Sequence, residues 1–164
     1  WAEQARVFGA GAGPRSSKAA AGFVAGLFGV RAQALELVDP RFYHIATALC
    51  PLPGGELIYV PQAFSPAGHA AIAALTRPEQ RIALGAGDAE RLAGNAVCIG
   101  RTLVMSSCGA DLKAELARRG YEVTEVGLDS FLRSGGSAFC LTLRLDLQAA
   151  PAGKAGTKIA EAAL

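Results

Sequence analysis

The fold class of this chain is decided by residues 42–60, FYHIATALCPLPGGELIYV. Phe42 to Leu49 is an apolar run that predicts a strand, and Leu57 to Val60 predicts its antiparallel partner across the proline- and glycine-rich turn between them. Ser65-Pro66 then starts a helix, and Arg81 to Leu84 predicts a third strand. The predicted unit is therefore strand, strand, helix, strand.

The same order returns toward the C-terminus. A short helix from Asp88 to Ala93 is followed by a predicted hairpin made of Val97 to Ile99 and Thr102 to Met105. A helix from Asp111 to its stop at Gly120 and a strand from Tyr121 to Val126 complete the unit. Units spaced at roughly 40 to 50 residues are typical of repeat architectures. We therefore expect an α/β fold with a cyclic arrangement.

The N-terminal side predicts a third, similar segment. Val7 to Ala12 is an apolar, glycine-rich run, and a serine-capped helix should follow and end at Gly29. Leu35 to Val38 predicts the next strand. The apolar positions expected to pack this helix are Phe23, Val24, Leu27 and Phe28.

Composition points to one folded domain whose partner is a small molecule. The chain has 164 residues, of which 51% are hydrophobic, and this is enough apolar material for a core. Its net charge is only +2 and its basic residues are not clustered, so neither a nucleic-acid surface nor an anionic-membrane surface is indicated. The uncharged stretch Ala19 to Val30 is too short to span a bilayer, which takes roughly 20 residues. We assign residues 1–147 to the domain and residues 148–164 to a loose tail rich in Ala, Gly and Lys.

Four cysteines, Cys50, Cys98, Cys108 and Cys140, lack the CxxC spacing of a structural zinc site. They are therefore expected to be free thiols in a reducing cytoplasm, with neither a metal nor another cofactor. Because the chain starts at Trp1 and its one methionine is Met105, we expect it to be a fragment or a processed piece.

Cys140 is the first candidate for chemistry. It follows the loop Ser134-Gly135-Gly136-Ser137-Ala138 at the predicted start of a strand, Phe139 to Leu147. Along this strand, alternation puts Cys140 on the polar face, opposite a row of leucines. An ordinary buried cysteine behind a loop is the alternative interpretation.

His44 is the second candidate, because it interrupts an otherwise apolar predicted strand. A lone strand histidine is most often a hydrogen-bonded core residue, but together with Cys140 it forms a possible thiol and acid/base pair. The other histidine, His69, lies in an alanine-rich helix and is expected to be exposed.

These segments resemble the guanidine-modifying superfamily, in its dimethylarginine dimethylaminohydrolase and amidinotransferase branch. The similarity rests on the segments 39–44, 50–52, 59–65 and 134–145 and covers roughly residues 5–147. The superfamily has a five-bladed αβ propeller, the pentein fold. The resemblance implies that about three of the five blades are present here.

The resemblance also implies roles for individual residues. Cys140 would attack the guanidinium carbon as a thiolate, and His44 would protonate the leaving amine and then activate water. Gly136 and Ser137 would contact the substrate. Arg15 would bind the substrate carboxylate, although an arginine solvated at a helix start explains this residue equally well.

The chain departs from the family pattern at two points. The pattern around the histidine is His-x-Asp, and Ala46 stands at the third position, where it cannot accept a hydrogen bond from the guanidinium. The family's other carboxylate belongs to a segment before the first blade found here. An amidinotransferase and an inactive homologue of the same fold are therefore alternatives to a hydrolase.

Two further expectations concern binding. Val7 to Gly13, a strand and a glycine-rich turn before a helix, has the outline of a dinucleotide site, although Pro14 and Arg15 occupy positions where free amides are needed. An incomplete propeller would have open sheet edges, so self-association into a homo-oligomer is expected.

Overall fold

The computed structural model describes residues 7–143. The proposed tail, residues 148–164, and the end of the predicted strand Phe139 to Leu147 lie outside the described residues. The fold is mixed α/β, as predicted.

The elements form two complete copies of one unit and a shorter segment before them. The segment consists of β1 (Val7–Ala12), α1 (Ala19–Phe28) and β2 (Arg31–Glu36), followed by the short helix α2 (Ile45–Ala48). The first unit consists of β3 (Leu49–Pro51), β4 (Leu57–Tyr59), α3 (Pro66–Leu75) and β5 (Arg81–Ala83). After α4 (Ala86–Glu90), the second unit consists of β6 (Val97–Ile99), β7 (Thr102–Met105), α5 (Ala110–Arg118) and β8 (Glu122–Glu125). The helix α6 (Asp129–Leu132) comes after it.

The two units share one topology. In each, the first two strands pair antiparallel and the second pairs parallel with the third across a helix, giving the orders β3-β4-β5 and β6-β7-β8. The strands β1 and β2 also pair in parallel across α1. The predicted repeat is therefore confirmed in full twice and as strand, helix, strand once.

Each unit buries its middle strand and one face of its helix. Ile58 in β4 and Leu103 in β7 are fully buried, as are Ile72 in α3 and Leu116 in α5. The ends of α5 and the β6-β7 hairpin agree with the glycine signals, since Gly120 and Gly100 adopt positive φ values of 79° and 61°.

The prediction of a strand over Phe42 to Leu49 was wrong. His44 has extended backbone, Ile45–Ala48 forms a helical turn, and only Leu49–Pro51 pairs as a strand. Short apolar runs do not distinguish strand from helix, and here close packing favours the helix. A Cβ on Gly11 would lie 2.9 Å from Cβ of Ile45, so glycine in β1 lets α2 approach the strand.

Smaller corrections concern the helices. Ser16 and Ser17 do not cap α1, which begins after Lys18, and Phe23, Leu27 and Phe28 are exposed because the helix buries only Ala21. The predicted helix Asp88 to Ala93 instead spans Ala86–Glu90, and Leu92 adopts a positive φ of 51° after it. The predicted stop of α1 at Gly29 and the exposure of His69 are confirmed.

None of the helices in residues 7–143 is long and apolar enough to cross a bilayer.

Candidate active site

One cavity of the described residues is lined by both predicted chemical residues. Its volume is about 560 Å³. The segment Tyr43–Ala46 supplies one wall, with His44 among its lining residues. The segment 134–142 supplies the other wall and includes Gly136 and Cys140. A smaller neighbouring cavity of about 210 Å³ shares Tyr43, His44 and Ala46 and reaches Gly11, Gly13 and Ser16.

The His44 wall adjoins the packed core, which contains Phe42 before it and Ala48 after it. His44 is exposed, but it immediately precedes α2, in which Thr47 and Ala48 are buried. The Thr47 hydroxyl and the Thr47 N–H both donate to the His44 carbonyl, at 2.7 and 3.0 Å. These bonds fix the backbone that carries the imidazole, and the adjacent Tyr43 ring has its centroid 4.7 Å from that of His44.

The Cys140 wall is a sequence of tight turns, and the prediction that Cys140 starts a strand was wrong. Phe139–Leu141 forms one turn of 3-10 helix. The Thr142 N–H and hydroxyl both donate to the Phe139 carbonyl, so the backbone turns here and does not extend. Cys140 is exposed toward the cavity, and Leu141 and Leu143 are exposed as well.

Tyr43 links the two walls of the cavity through its hydroxyl group. Its hydroxyl lies 3.3 Å from the Ser134 carbonyl and 3.2 Å from that of Gly135, to which it can donate. Gly135 has a positive φ of 79°, and a Cβ there would lie 2.6 Å from the Tyr43 hydroxyl oxygen. The position thus requires glycine for both its backbone conformation and its contact.

Asn95, which does not line the cavity, also links the two walls. Its fully buried side chain donates to the Ala46 carbonyl and accepts hydrogen bonds from the Ser137 and Cys140 amides. Sequence reasoning missed both Tyr43 and Asn95. The signal for Asn95 was an amide inside the apolar stretch 92–99, because a buried amide needs partners.

The three residues predicted to bind substrate differ from one another in their position relative to the cavity. Gly136 lines the cavity. Ser137 is buried outside the lining, and its hydroxyl has no hydrogen-bond partner among the described residues. Arg15 is exposed and its guanidinium carbon lies 5.4 Å from the centroid of the Tyr43 ring, at the edge of the site.

The other three thiols have different surroundings. Burial raises the pKa of Cys50 to about 12, and it also raises the pKa of Cys98. Burial and the Glu125 carboxylate together raise the pKa of Cys108 to about 11. All four cysteines are free, and Cys140 is the exposed one. Chemistry that needs an accessible thiol is therefore possible at Cys140 and disfavoured at the other three.

No family model matches the chain, but individual proteins do. It is 39% identical over 142 residues to the bifunctional arginine dihydrolase/ornithine cyclodeaminase ArgZ of Synechocystis, covering 87% of this chain and 20% of ArgZ. It is 38% identical to N(G),N(G)-dimethylarginine dimethylaminohydrolase of Mycobacterium tuberculosis, covering 83% of this chain and 44% of that enzyme. The chain therefore spans less than half the length of either relative.

Solved structures give the same relationship. The N-terminal domain of ArgZ, an arginine dihydrolase, was solved bound to substrate as a cysteine-to-serine variant, and it matches with a TM-score of 0.86 and 38% identity over 88% of this chain and 53% of that one. Dimethylarginine dimethylaminohydrolase from Pseudomonas aeruginosa, in complex with citrulline, matches with a TM-score of 0.63 at 18% identity, over 80% of this chain and 49% of that one. The latter similarity concerns the fold alone.

Proposed function

We propose that this chain, a homologue of an arginine dihydrolase and of a dimethylarginine dimethylaminohydrolase, hydrolyses the guanidino group of arginine or an N-methylated arginine to give citrulline and ammonia or a methylated amine. The observation that carries this proposal is that Cys140, the one exposed thiol, and His44 line a single cavity. The structure of a cysteine-to-serine ArgZ variant bound to substrate supports a role for a cysteine in this group of enzymes. In the same proposal the repeated units are blades of an αβ propeller, about three of five.

The reaction proceeds in two balanced halves. The Cys140 thiolate forms a bond to the guanidinium carbon, and the C–N bond breaks as His44 gives its proton to the departing amine. This leaves a covalent thiouronium. Neutral His44 then takes one proton from water as the oxygen adds to the same carbon. The C–S bond breaks to expel the Cys140 thiolate, and the remaining hydroxyl proton passes to the released amine or to solvent, which leaves a neutral ureido product and a protonated His44.

Substrate contacts come from both walls. Gly136 lets the backbone of the Cys140 wall approach the planar guanidinium, and Ser137 supports this wall from its buried position. Arg15 binds the substrate carboxylate from the edge of the site, where it already stacks over Tyr43. Ala46 lines the cavity at the position of the family's aspartate, so the grip on the guanidinium is weaker here than the His-x-Asp pattern provides.

The decisive experiment compares two alkylating reagents of similar size, chloroacetamidine and chloroacetamide, with each cysteine followed by mass spectrometry. Chloroacetamidine carries the cationic amidine that resembles guanidinium, and chloroacetamide does not. We expect the rate ratio between them to be largest at Cys140, larger still in Ala46→Asp, and reduced in His44→Ala. Equal ratios at all four cysteines would exclude a guanidinium site.

Product analysis separates the candidate activities. A hydrolase forms citrulline from arginine or asymmetric dimethylarginine without an acceptor amine, whereas an amidinotransferase requires one. Both named relatives are hydrolases, which favours the first result. Selective labelling of Cys140 without either product would identify an inactive homologue that retains its binding site.

The dinucleotide alternative stays a prediction. The close approach of Ile45 gives glycine at position 11 a packing role that requires no nucleotide. Titration with NAD, followed by protein fluorescence, should show no saturable change.

Self-association is also part of the proposal. Three residues that line the cavity, Phe131, Phe139 and Leu141, are 48%, 47% and 48% exposed, and the nearby Leu143 is 82% exposed. Exposed apolar side chains in such proximity favour association. Size-exclusion chromatography with light scattering should give a mass above the monomer's 16.8 kDa, and polar substitutions at Leu141 and Leu143 should restore the monomer.

A further inference from the structure

Asn95 is hydrogen-bonded to both walls of the cavity. Its Nδ2 donates to the Ala46 carbonyl at 2.7 Å, which joins it to the His44 wall. Its Oδ1 accepts from the Ser137 amide at 2.8 Å and from the Cys140 amide at 3.3 Å, which joins it to the other wall. The Asn95 backbone carbonyl accepts a further bond from the Phe139 amide at 3.1 Å.

The side chain that makes these hydrogen bonds to both walls must be an amide. The His44 wall offers a carbonyl and the Cys140 wall offers N–H groups, so the group between them must donate on one side and accept on the other. An amide does both at once, whereas a carboxylate only accepts and an aliphatic side chain does neither. Because Asn95 is fully buried, water cannot replace the lost bonds without a rearrangement.

The turn that carries Asn95 is itself firmly held. The Asn95 amide donates to the Leu92 carbonyl at 2.8 Å, and the buried Ser106 hydroxyl donates to the Arg91 carbonyl at 2.6 Å. Leu92 keeps a positive φ of 51°, which costs a non-glycine residue free energy and persists only where surrounding contacts impose it. Asn95 thus projects from a fixed point between α4 and β6.

We propose that Asn95 is a positioning residue that fixes the Cys140 loop against the His44 turn and so sets the relative placement of thiol and imidazole. This inference deepens the proposed function and rests on it for the chemical roles of Cys140 and His44. A displacement of about 1 Å at reacting groups can lower a rate roughly 100-fold, so a tie of this kind controls reactivity without touching substrate.

The test uses the whole chain and two readouts, amide hydrogen exchange by NMR and selective labelling of Cys140 by chloroacetamidine. In Asn95→Ala, exchange should accelerate by about 10-fold or more at Thr47 on one wall and at Ser137 and Cys140 on the other. Ser65→Ala is the matched control, since it removes another buried polar group that accepts one backbone bond, from Gly68, at the start of α3. The control should leave all three amides protected.

Asn95→Asp gives a signature that general destabilisation lacks. At low pH its protonated carboxyl can donate to Ala46 and still accept from Ser137, so exchange at both walls should match the native protein at the same pH. When the carboxyl group ionises, it can no longer donate to the Ala46 carbonyl. The Thr47 amide, on the Ala46 side, should therefore lose protection from exchange before the Ser137 amide does.

Accelerated exchange at both walls in Asn95→Ala, with low-pH rescue in Asn95→Asp and an approximately 10- to 100-fold loss of Cys140 labelling, would support the proposal. Three results would overturn it. In Asn95→Ala, amide exchange could rise at one wall only, or Ser65→Ala could accelerate exchange at the same three amides. Alternatively, Asn95→Ala could label Cys140 as fast as the native protein does, where the native protein labels it selectively. If the native protein does not label Cys140 selectively, the proposed function fails, and the exchange data still decide whether Asn95 holds the walls together.

Discussion

The two repeated units and the Cys140 segment are stabilised in different ways. In the units, middle strands and one helix face are buried, and Ile58, Leu103 and Leu116 have no exposed surface. In the segment 129–143, Phe131, Phe139 and Leu141 are each about half exposed. Individual hydrogen bonds hold the turns: the Cys140 amide donates to Asn95, and the Tyr43 hydroxyl donates to the Gly135 carbonyl. Packing therefore determines the framework, while a few polar contacts determine the geometry of the site.

This difference predicts that replacing a leucine with alanine lowers the free energy of unfolding much more in the repeated units than in the Cys140 segment. Leu116→Ala in α5 should lower the free energy of unfolding by about 2 to 5 kcal/mol, because it leaves a cavity in the core. Leu141→Ala, its control beside Cys140, should change it by no more than about 0.5 kcal/mol. Urea denaturation measures both values, and similar losses would contradict the comparison.

Replacing glycine with alanine should disturb the Cys140 segment at Gly135 but not at Gly100. In Gly135→Ala, both the φ of 79° and the 2.6 Å approach to the Tyr43 hydroxyl oppose a Cβ, so stability should fall by about 1 to 3 kcal/mol and Cys140 labelling by about 10-fold. Gly100→Ala is matched in conformation, with a φ of 61° and open space around its Cβ. It should cost about 1 kcal/mol without affecting labelling. Equal labelling of Cys140 in the two variants would show that the placement of its thiol does not depend on glycine at position 135.

Removing one hydroxyl should have a smaller effect. Tyr43→Phe keeps the ring beside His44 but loses the bond shared by the Ser134 and Gly135 carbonyls, which should cost about 0.5 to 1.5 kcal/mol. We expect labelling at Cys140 to slow by about 3-fold, as measured by mass spectrometry. Tyr59→Phe alters a tyrosine whose ring contacts His69 and should not slow the labelling.

The smallest expected effect concerns a thiol outside the site. The pKa of Cys108 is raised to about 11 by burial and then by Glu125, so chloroacetamide should label it appreciably only as the pH approaches that value. Glu125→Gln removes a negative charge that opposes thiolate formation, which lowers the pKa and should raise labelling at pH 8 by roughly 3-fold. Glu115→Gln, which removes a carboxylate paired with Arg119, is the control and should leave Cys108 unchanged. A labelling rate independent of Glu125 would show that this carboxylate does not raise the pKa of Cys108.

Local signals in the sequence explain why most of the framework was predictable. The hairpin at Gly100 and the ends of α1 and α5 depend on glycine at positive φ, and this preference belongs to the residue itself. The buried Leu112 and Leu116 lie four residues apart in α5, which is the spacing of one face of a helix. By contrast, Ile45–Ala48 and Phe139–Leu141 were predicted as parts of strands and form helical turns, because short apolar or alternating runs are compatible with more than one backbone conformation.

The sequence by itself determined the α/β repeat and singled out Cys140 and His44, because both followed from local periodicity and motif resemblance. Only the tertiary structure decided that the two residues line one cavity. It also decided that Asn95, separated from Ala46 by 49 positions and from Cys140 by 45, bonds to both. Hydrogen bonds between segments so distant in the chain form only when packing brings their backbones together, so no local sequence pattern encodes them.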